Sequence, residues 1–273
     1  MQFIFLLGVV SLFADVTYEG GRSILGPFFL HLGATASIVG VASGLGEMVG
    51  YSFRLLSGYI ADKTKQYWGL MFIGYTLNLF AFPLLAFVGR WDLAVGMVVA
   101  ERLGKALRHP SRDTLLSFAT ARIGAGLGFG FHEAMDQIGA VAGPLFVFLL
   151  LLISKQFSTT FALLFLPASL SLFSLLIAYR LFPQPQTFPG MPSPLVIKGL
   201  SRFFPIYLIS AMLVSAGYAD FPLIAFHIQK HQFASPLLIP IAYALAMGVD
   251  ALSALYFGRL FDRMGISSLV LAI

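Results

Sequence analysis

Apolar stretches free of Asp, Glu, Lys and Arg return along the chain at 69–88, 137–154, 156–179, 203–219 and 231–249. Each is close to the ~20 residues that a helix needs to cross the hydrocarbon core of a bilayer. None keeps the strict alternation of a barrel strand. A helix satisfies its backbone hydrogen bonds internally, so each stretch predicts a membrane-spanning helix. The segments "HLGATAS", "ADKTKQYW", "VGRWD", "HPSRDTLLSFATARIG", "SKQFSTT", "PQPQTFPGMPSP" and "HIQKHQFASP" predict the connections between spans. The reading is an all-α transmembrane bundle of about eight full spans, with a ninth beginning near Ile266.

Composition supports a membrane protein: 58% of the 273 residues are hydrophobic and 11% charged, against roughly a quarter charged in a soluble domain. With no cysteine, disulfides, thiol catalysis and cysteine metal sites drop out together. The opening "MQFIFLLGVVSLFADVTYEGG" has no basic leader and no small-residue cleavage site, so it reads as a retained first span. The net charge of +5 is a matter of placement. Loops on one side hold ten basic residues (Lys63, Lys65, Arg108, Arg112, Arg122, Arg180, Lys198, Arg202, Arg259 and Arg263), and the other side holds Arg90, Lys155 and Lys230. The positive-inside rule then puts the N-terminus in the cytoplasm of a cell whose cytoplasmic (inner) membrane the chain spans several times, with no nucleic-acid partner implied.

Shifted by 200 residues, the sequence superposes on itself without a gap: Tyr18 falls on Tyr218, His31 on His231, Leu45 on Leu245, Gly58 on Gly258, Asp62 on Asp262 and Lys63 on Arg263. "GYIADK" thus recurs as "GRLFDR", after the second span and again after the eighth. A repeat of two six-helix halves in the same orientation is a transporter architecture. It divides the chain into an N-terminal six-helix lobe at 1–181, a proline-rich cytoplasmic linker at 182–200 and an incomplete C-terminal lobe at 201–273. By that symmetry about four helices of the second half are absent, as in a fragment or an early-terminated product.

These residues resemble the major facilitator superfamily of secondary transporters over the whole chain. The family's loop motif G-x-x-x-D-R/K-x-G-R-R/K is matched by Gly58, Asp62 and Lys63, with Lys65, Gln66 and Tyr67 departing from it. Its second copy keeps Gly258, Asp262, Arg263 and Gly265. In the fifth span the antiporter signature G-x8-G-x3-G-P is matched by Gly130, Gly139, Gly143 and Pro144, while Val147 and Phe148 replace its final Gly-Gly. Gly139 and Gly143 lie four apart on one face, where a neighbouring helix can come close, and Pro144 permits a bend. The basic motif R-x-x-Q-G is only begun at Arg102, since Lys105 and Ala106 replace its Gln and Gly. "FADVTYEGGRSILGPFF" and "ERLGKALRHPSRD" look like a prokaryotic subgroup. The resemblance implies alternating access, a small-molecule substrate, no cofactor and a monomer.

Ionisable residues inside spans are costly and mark pathways or pairs. Asp15, Glu19 and Arg22 share a face of the first span, Glu47 and Arg54 a face of the second; the fourth contributes Glu101, Arg102 and Lys105, and the fifth His132, Glu133 and Asp136. These eleven residues are read as a proton-coupling and substrate cavity. Its six acids outnumber its four bases by two. Burial disfavours unpaired carboxylates, so two acids are expected to be protonated or neutralised by a bound cation. That balance suits proton-coupled efflux, or antiport, and a cationic substrate. Asp220 and Asp250 fall in spans without a base and add to the acidic side. Fixed ion pairs are the competing reading: Arg22 with Glu19, Arg54 with an acid across the bundle, and Glu101 with Lys105.

"HEAMD" at 132–136 is one residue from the zinc-protease pattern H-E-x-x-H. The second histidine is Asp136, and the remaining histidines fall near loops, so an intramembrane metalloprotease is a minor alternative, with no metal site assigned. No G-x-S-x-G and no G-x-x-x-x-G-K-[ST] occurs, and the chain is read as no enzyme. A non-transporting membrane sensor or an inactive truncated remnant is the alternative from a different class.

Overall fold

The computed structural model describes residues 1–120, 124–184 and 204–265, together with Ser268 and Leu271. From residue 185 onward the expected linker lies outside the described residues, as does most of the expected start of a ninth span. All regular structure among the described residues is helical. In chain order the helices are α1 (Gln2–Ser23), α2 (Leu25–His31), α3 (Ala36–Thr64), α4 (Tyr67–Leu84), α5 (Trp91–Thr120), α6 (Ala125–Ser154), α7 (Phe157–Leu163), α8 (Phe165–Leu181), α9 (Phe204–Ala216), α10 (Phe221–Lys230) and α11 (Ile239–Met264). A 3-10 turn at Leu85–Phe87 extends α4.

Among the described residues, five segments are long and apolar enough to cross a membrane: Gln2–Ser23, Tyr67–Phe87, Gly126–Ser154, Phe157–Leu181 and Ile239–Phe257. The helices α3 and α5 have 29 and 30 residues, ample length for a crossing, but they carry charges. The first segment is 72% buried inside the protein while the last is 22% buried, which makes α1 the central helix and leaves α11 largely facing outward. Fully projecting apolar side chains such as Leu55 and Ile153 are what a lipid-facing surface presents.

The turns expected at 31–37, 61–68, 88–92, 154–160 and 227–236 all contain helix ends. The connection expected across 109–124 is corrected: α5 runs on through His109 and Pro110 to Thr120. Proline removes the backbone donor that would have bonded the Ala106 carbonyl four residues back. Here Ser57 on α3 donates its hydroxyl to that carbonyl at 2.7 Å, so the freed acceptor is satisfied and the helix continues. Pro83 and Pro144 also lie inside helices, while Pro27 follows the break at Ile24 between α1 and α2 and Pro222 sits in the first turn of α10.

Close helix approach sets the centre of the bundle. A Cβ on Gly143 of α6 would meet the Val16 carbonyl oxygen of α1 at 2.8 Å and the Gly20 nitrogen at 2.9 Å, and one on Gly139 would strike the Leu12 carbonyl. The packing expected of Gly139 and Gly143 is therefore made, with α1 as the partner. Gly130 is corrected: a Cβ there meets nothing within 4 Å, so it takes no part. Pro144 lies within an unbroken α6. On α5 the buried apolar residues are Ala94 and Val98 at one end, the small Ala106 midway, and Leu115, Leu116 and Phe118 at the other end. The polar stretch from Glu101 to Arg112 thus occupies the middle of the helix, and α10 and α11 close on the same region through their packing against α2 and α6.

Candidate functional site

Four residues of α5, Glu101, Lys105, Arg108 and Arg112, follow the spacing of one helix face, and α1 presents Asp15, Tyr18, Glu19 and Arg22 at similar spacing. Close approach of α4 to α5 through Gly74 and Gly104 brings Asn78 onto this stripe. Its amide donates to Glu101 Oε1 at 2.8 Å and holds the buried carboxylate, with Arg102 Nε 3.4 Å from Glu101 Oε2. Arg102 also reaches Glu47 of α3 at 3.0 Å.

The second part of the chain enters the cluster through two residues. At the N-cap of α10, the Asp220 carboxylate accepts from the backbone of Phe221 at 2.9 Å and from the guanidinium of Arg22, with Arg102 at 3.8 Å. Tyr243 of α11 donates its hydroxyl to Glu19, and both are buried. Arg22 lies 3.9 Å from Glu19 and 3.9 Å from Glu47, so its principal partner is Asp220 rather than the expected Glu19. The pair expected between Glu101 and Lys105 is likewise replaced by Asn78 and Arg102. Lys105 sets its ammonium over the Tyr18 ring at 4.3 Å.

A second group lies towards α6. Ser11 Oγ and His132 Nε2 are hydrogen-bonded at 3.2 Å, with the Asp136 carboxylate 4.0 Å from the same nitrogen and 3.6 Å from Arg112. Asp15 is buried against Gly139, one turn beyond Asp136, and forms no ion pair among the described residues. Glu133 is exposed and accepts from Gln137 at 3.3 Å, so it stands outside both groups. His132 therefore serves a hydroxyl and a carboxylate within a buried polar chain, and no set of three metal-ligating side chains occurs among the described residues.

Among the gate residues, Gly58 faces Pro110, Asp62 is exposed in the last turn of α3, and the Lys63 ammonium lies 5.8 Å from the Tyr59 ring. In the second copy, Arg263 is exposed, while the surroundings of Gly258 and Asp262 lie outside the described residues. Asp250 is exposed on α11 and does not join the cluster.

Reading α5 as ending near His109 hid two arginines. Arg108 is 1% exposed, with its guanidinium 4.4 Å from the Tyr75 ring and 5.8 Å from the Tyr18 ring, and Arg112 lies between Asp113 and Asp136. Arg108 and Arg112 join the bases and Asp113 and Asp220 the acids, while Glu133 drops out, so seven acids face six bases and the expected excess of two narrows to one. The spacing that continues from Glu101 and Lys105 was the signal for them. A cavity of about 200 Å³ opens on the cluster, lined among others by Arg22, Glu47, Arg54, Arg102 and Lys105. A larger one of about 400 Å³ lies against the far end of α10, at Phe226, His227, Lys230 and His231.

A multi-pass helical bundle with paired charges gathered around a cavity defines the class of a polytopic membrane transporter. The profile of the Major Facilitator Superfamily matches residues 7–273, and the chain belongs to that family of membrane transporters. An uncharacterized protein of Mycobacterium tuberculosis (strain ATCC 25618 / H37Rv) is 40% identical over 275 residues, covering 98% of this chain and 67% of that protein. An uncharacterized MFS-type transporter of Methanocaldococcus jannaschii is 25% identical over 98% of this chain and 68% of its own length. The fold is similar to a crystal structure of a POT family transporter in complex with a thioalcohol-conjugated peptide, with a TM-score of 0.56 and 18% identity, over 94% of this chain and 52% of that one.

Proposed function

We propose that the chain acts as an alternating-access secondary transporter of a small molecule, coupled to protons and working in efflux or antiport. The observation that carries this reading is the polar seam between α1 and the second part of the chain, where Arg22 meets Asp220 and Glu19 meets Tyr243. Such contacts at a cavity edge can be exchanged for others when two lobes rock, whereas an interdigitated apolar seam would resist it. The break between α9 and α10, capped by Asp220, is like the discontinuous helices that transporters place at a midplane site, which supports the reading. Asp15 supports the coupling role, as a buried acid without an ion pair among the described residues. The Gly139 and Gly143 contact with α1 supports the antiporter-like resemblance of α6.

In this reading α1 with α2, α7 with α8, and α9 with α10 each form one crossing, as do α3, α4, α5, α6 and α11, giving eight. Residues 1–181 and 201–273 belong to two lobes joined by 182–200, and the gate motifs at Asp62 and Asp262 lie on the cytoplasmic side. Moving Arg108 and Arg112 into α5 leaves eight basic residues on the inner side against three outside, so the N-terminus stays cytoplasmic, in the inner membrane. The test is flux across vesicles that hold the purified full-length protein, with an imposed pH gradient and a panel of organic ions. Gradient-dependent movement of at least one solute is expected, and none under any gradient would remove the transporter reading.

A further inference from the structure

Four cations line the 200 Å³ cavity, and they are not alike. Arg22 and Arg102 are engaged by Asp220, Glu47 and Glu101. Neither Arg54 nor Lys105 forms an ion pair among the described residues. Arg54 lies 5.5 Å from the Tyr51 ring and Lys105 4.3 Å from the Tyr18 ring. The buried Nε of Arg54, like those of Arg22 and Arg102, has no hydrogen-bond acceptor among the described residues, and Arg54 has no carboxylate partner there besides. The one acid lining the cavity, Glu47, is already shared between Arg102 at 3.0 Å and Arg22 at 3.9 Å. Ring faces attract a cation but offer its N–H groups no lone pair of the strength a carboxylate or phosphate supplies. Arg22 and Arg102 have carboxylates against their guanidinium groups, whereas Arg54 and Lys105 have rings alone among the described residues.

We infer that this cavity binds a small organic anion, whose carboxylate or phosphate oxygens accept from Arg54 and Lys105. The inference rests on the transporter reading for its biological role and reverses the cationic substrate expected from the sequence. The volume corresponds to about seven water molecules at their share of the liquid, which suits an anionic head group rather than a bulky lipophilic cation.

The test is thermal unfolding of the purified full chain in detergent at fixed pH and ionic strength. The probes are potassium phosphate, potassium benzoate and tetraphenylphosphonium chloride. At least one anion is expected to raise the midpoint saturably, and the phosphate and benzoate arms separate the two sources of negative oxygen. Arg54→Gln and Lys105→Gln are each expected to weaken that anion about tenfold or more, a change in Kd well resolved by titration, while Lys105→Arg retains most of it. Stabilisation by tetraphenylphosphonium alone overturns the inference, as does an anion effect undiminished in both glutamine variants, or no saturable effect of either anion on folded wild type. If a glutamine variant loses its monodisperse elution, the wild-type contrast of anion against cation and the Lys105→Arg variant still decide. Binding is read without transport. Saturable anion stabilisation in a protein that moves no solute leaves the site standing and removes the transporter reading; flux of a cation without anion binding does the reverse.

Discussion

Arg22 and Asp220, 198 residues apart in sequence, form an ion pair that joins the central helix to the N-cap of α10. Asp220 does two jobs there, since the same Oδ1 accepts from the Phe221 backbone. Asparagine is as good an N-cap as aspartate, so Asp220→Asn removes the charge while keeping the cap. Loss of one partner from a buried pair costs about 3 kcal/mol or more. Arg22→Gln and Asp220→Asn are each expected to lower the unfolding midpoint in detergent, and the double variant to lower it by less than the sum. Strict additivity would show that the pair carries no coupling.

A second prediction concerns the passage of α5 through Pro110. The Ser57 hydroxyl satisfies the Ala106 carbonyl that the proline leaves free. Ser57→Ala should cost about 1–3 kcal/mol, the penalty of an unsatisfied buried acceptor. In a Pro110→Ala background the helix supplies its own N–H, so the same substitution should cost almost nothing. Equal costs in both backgrounds, measured by denaturation, would refute this account.

Span periodicity, the ends of most helices and the Gly139 and Gly143 contact were readable from sequence because they depend on local pattern and residue size. His109 and Pro110 were read as a connection because a proline inside a helix is normally destabilising. The rescue comes from Ser57 on another helix, which no local window contains. That misreading removed Arg108 and Arg112 from the cluster and enlarged the apparent acid excess. The partners of Arg22 and Glu19 were also illegible, since Asp220 and Tyr243 arrive from some 200 residues away. The helical spacing of Glu101, Lys105, Arg108 and Arg112 was present throughout and outweighed the proline.

The glycines of α6 separate packing from mere resemblance. A methyl at Gly143 meets backbone atoms of Val16 and Gly20 at 2.8 and 2.9 Å, and no side chain can turn aside to admit it. Gly143→Ala should therefore push α1 and α6 apart at about 1–3 kcal/mol, the usual cost of overpacking. Gly130→Ala enters open space and should be neutral or stabilising by about 0.5–1 kcal/mol through helix propensity. A Gly130→Ala variant less stable than Gly143→Ala would contradict this geometry.

Asp15, Glu19 and Asp136 differ in the partners that could hold their charge. Glu19 has the Tyr243 hydroxyl and Arg22, Asp136 has Arg112 at 3.6 Å, and Asp15 has no ion pair among the described residues although it is 5% exposed. A buried charge without a close partner is costly, so in the proposed cycle Asp15 is the acid whose proton would link to the conformation of α1, and a proton can do work only through such a link. Asp15→Asn cannot gain or lose that proton. It is expected to abolish flux driven by a pH gradient while sparing solute exchange at equal pH, and Glu133→Gln, on the exposed side of α6, to leave both intact. Glu19→Gln and Asp136→Asn should lose gradient-driven flux as well, with a larger loss of stability because each leaves an arginine short of an acid. Vesicle flux measured with and without the gradient distinguishes these outcomes, and unchanged driven flux in all three variants would end the proton-coupling proposal.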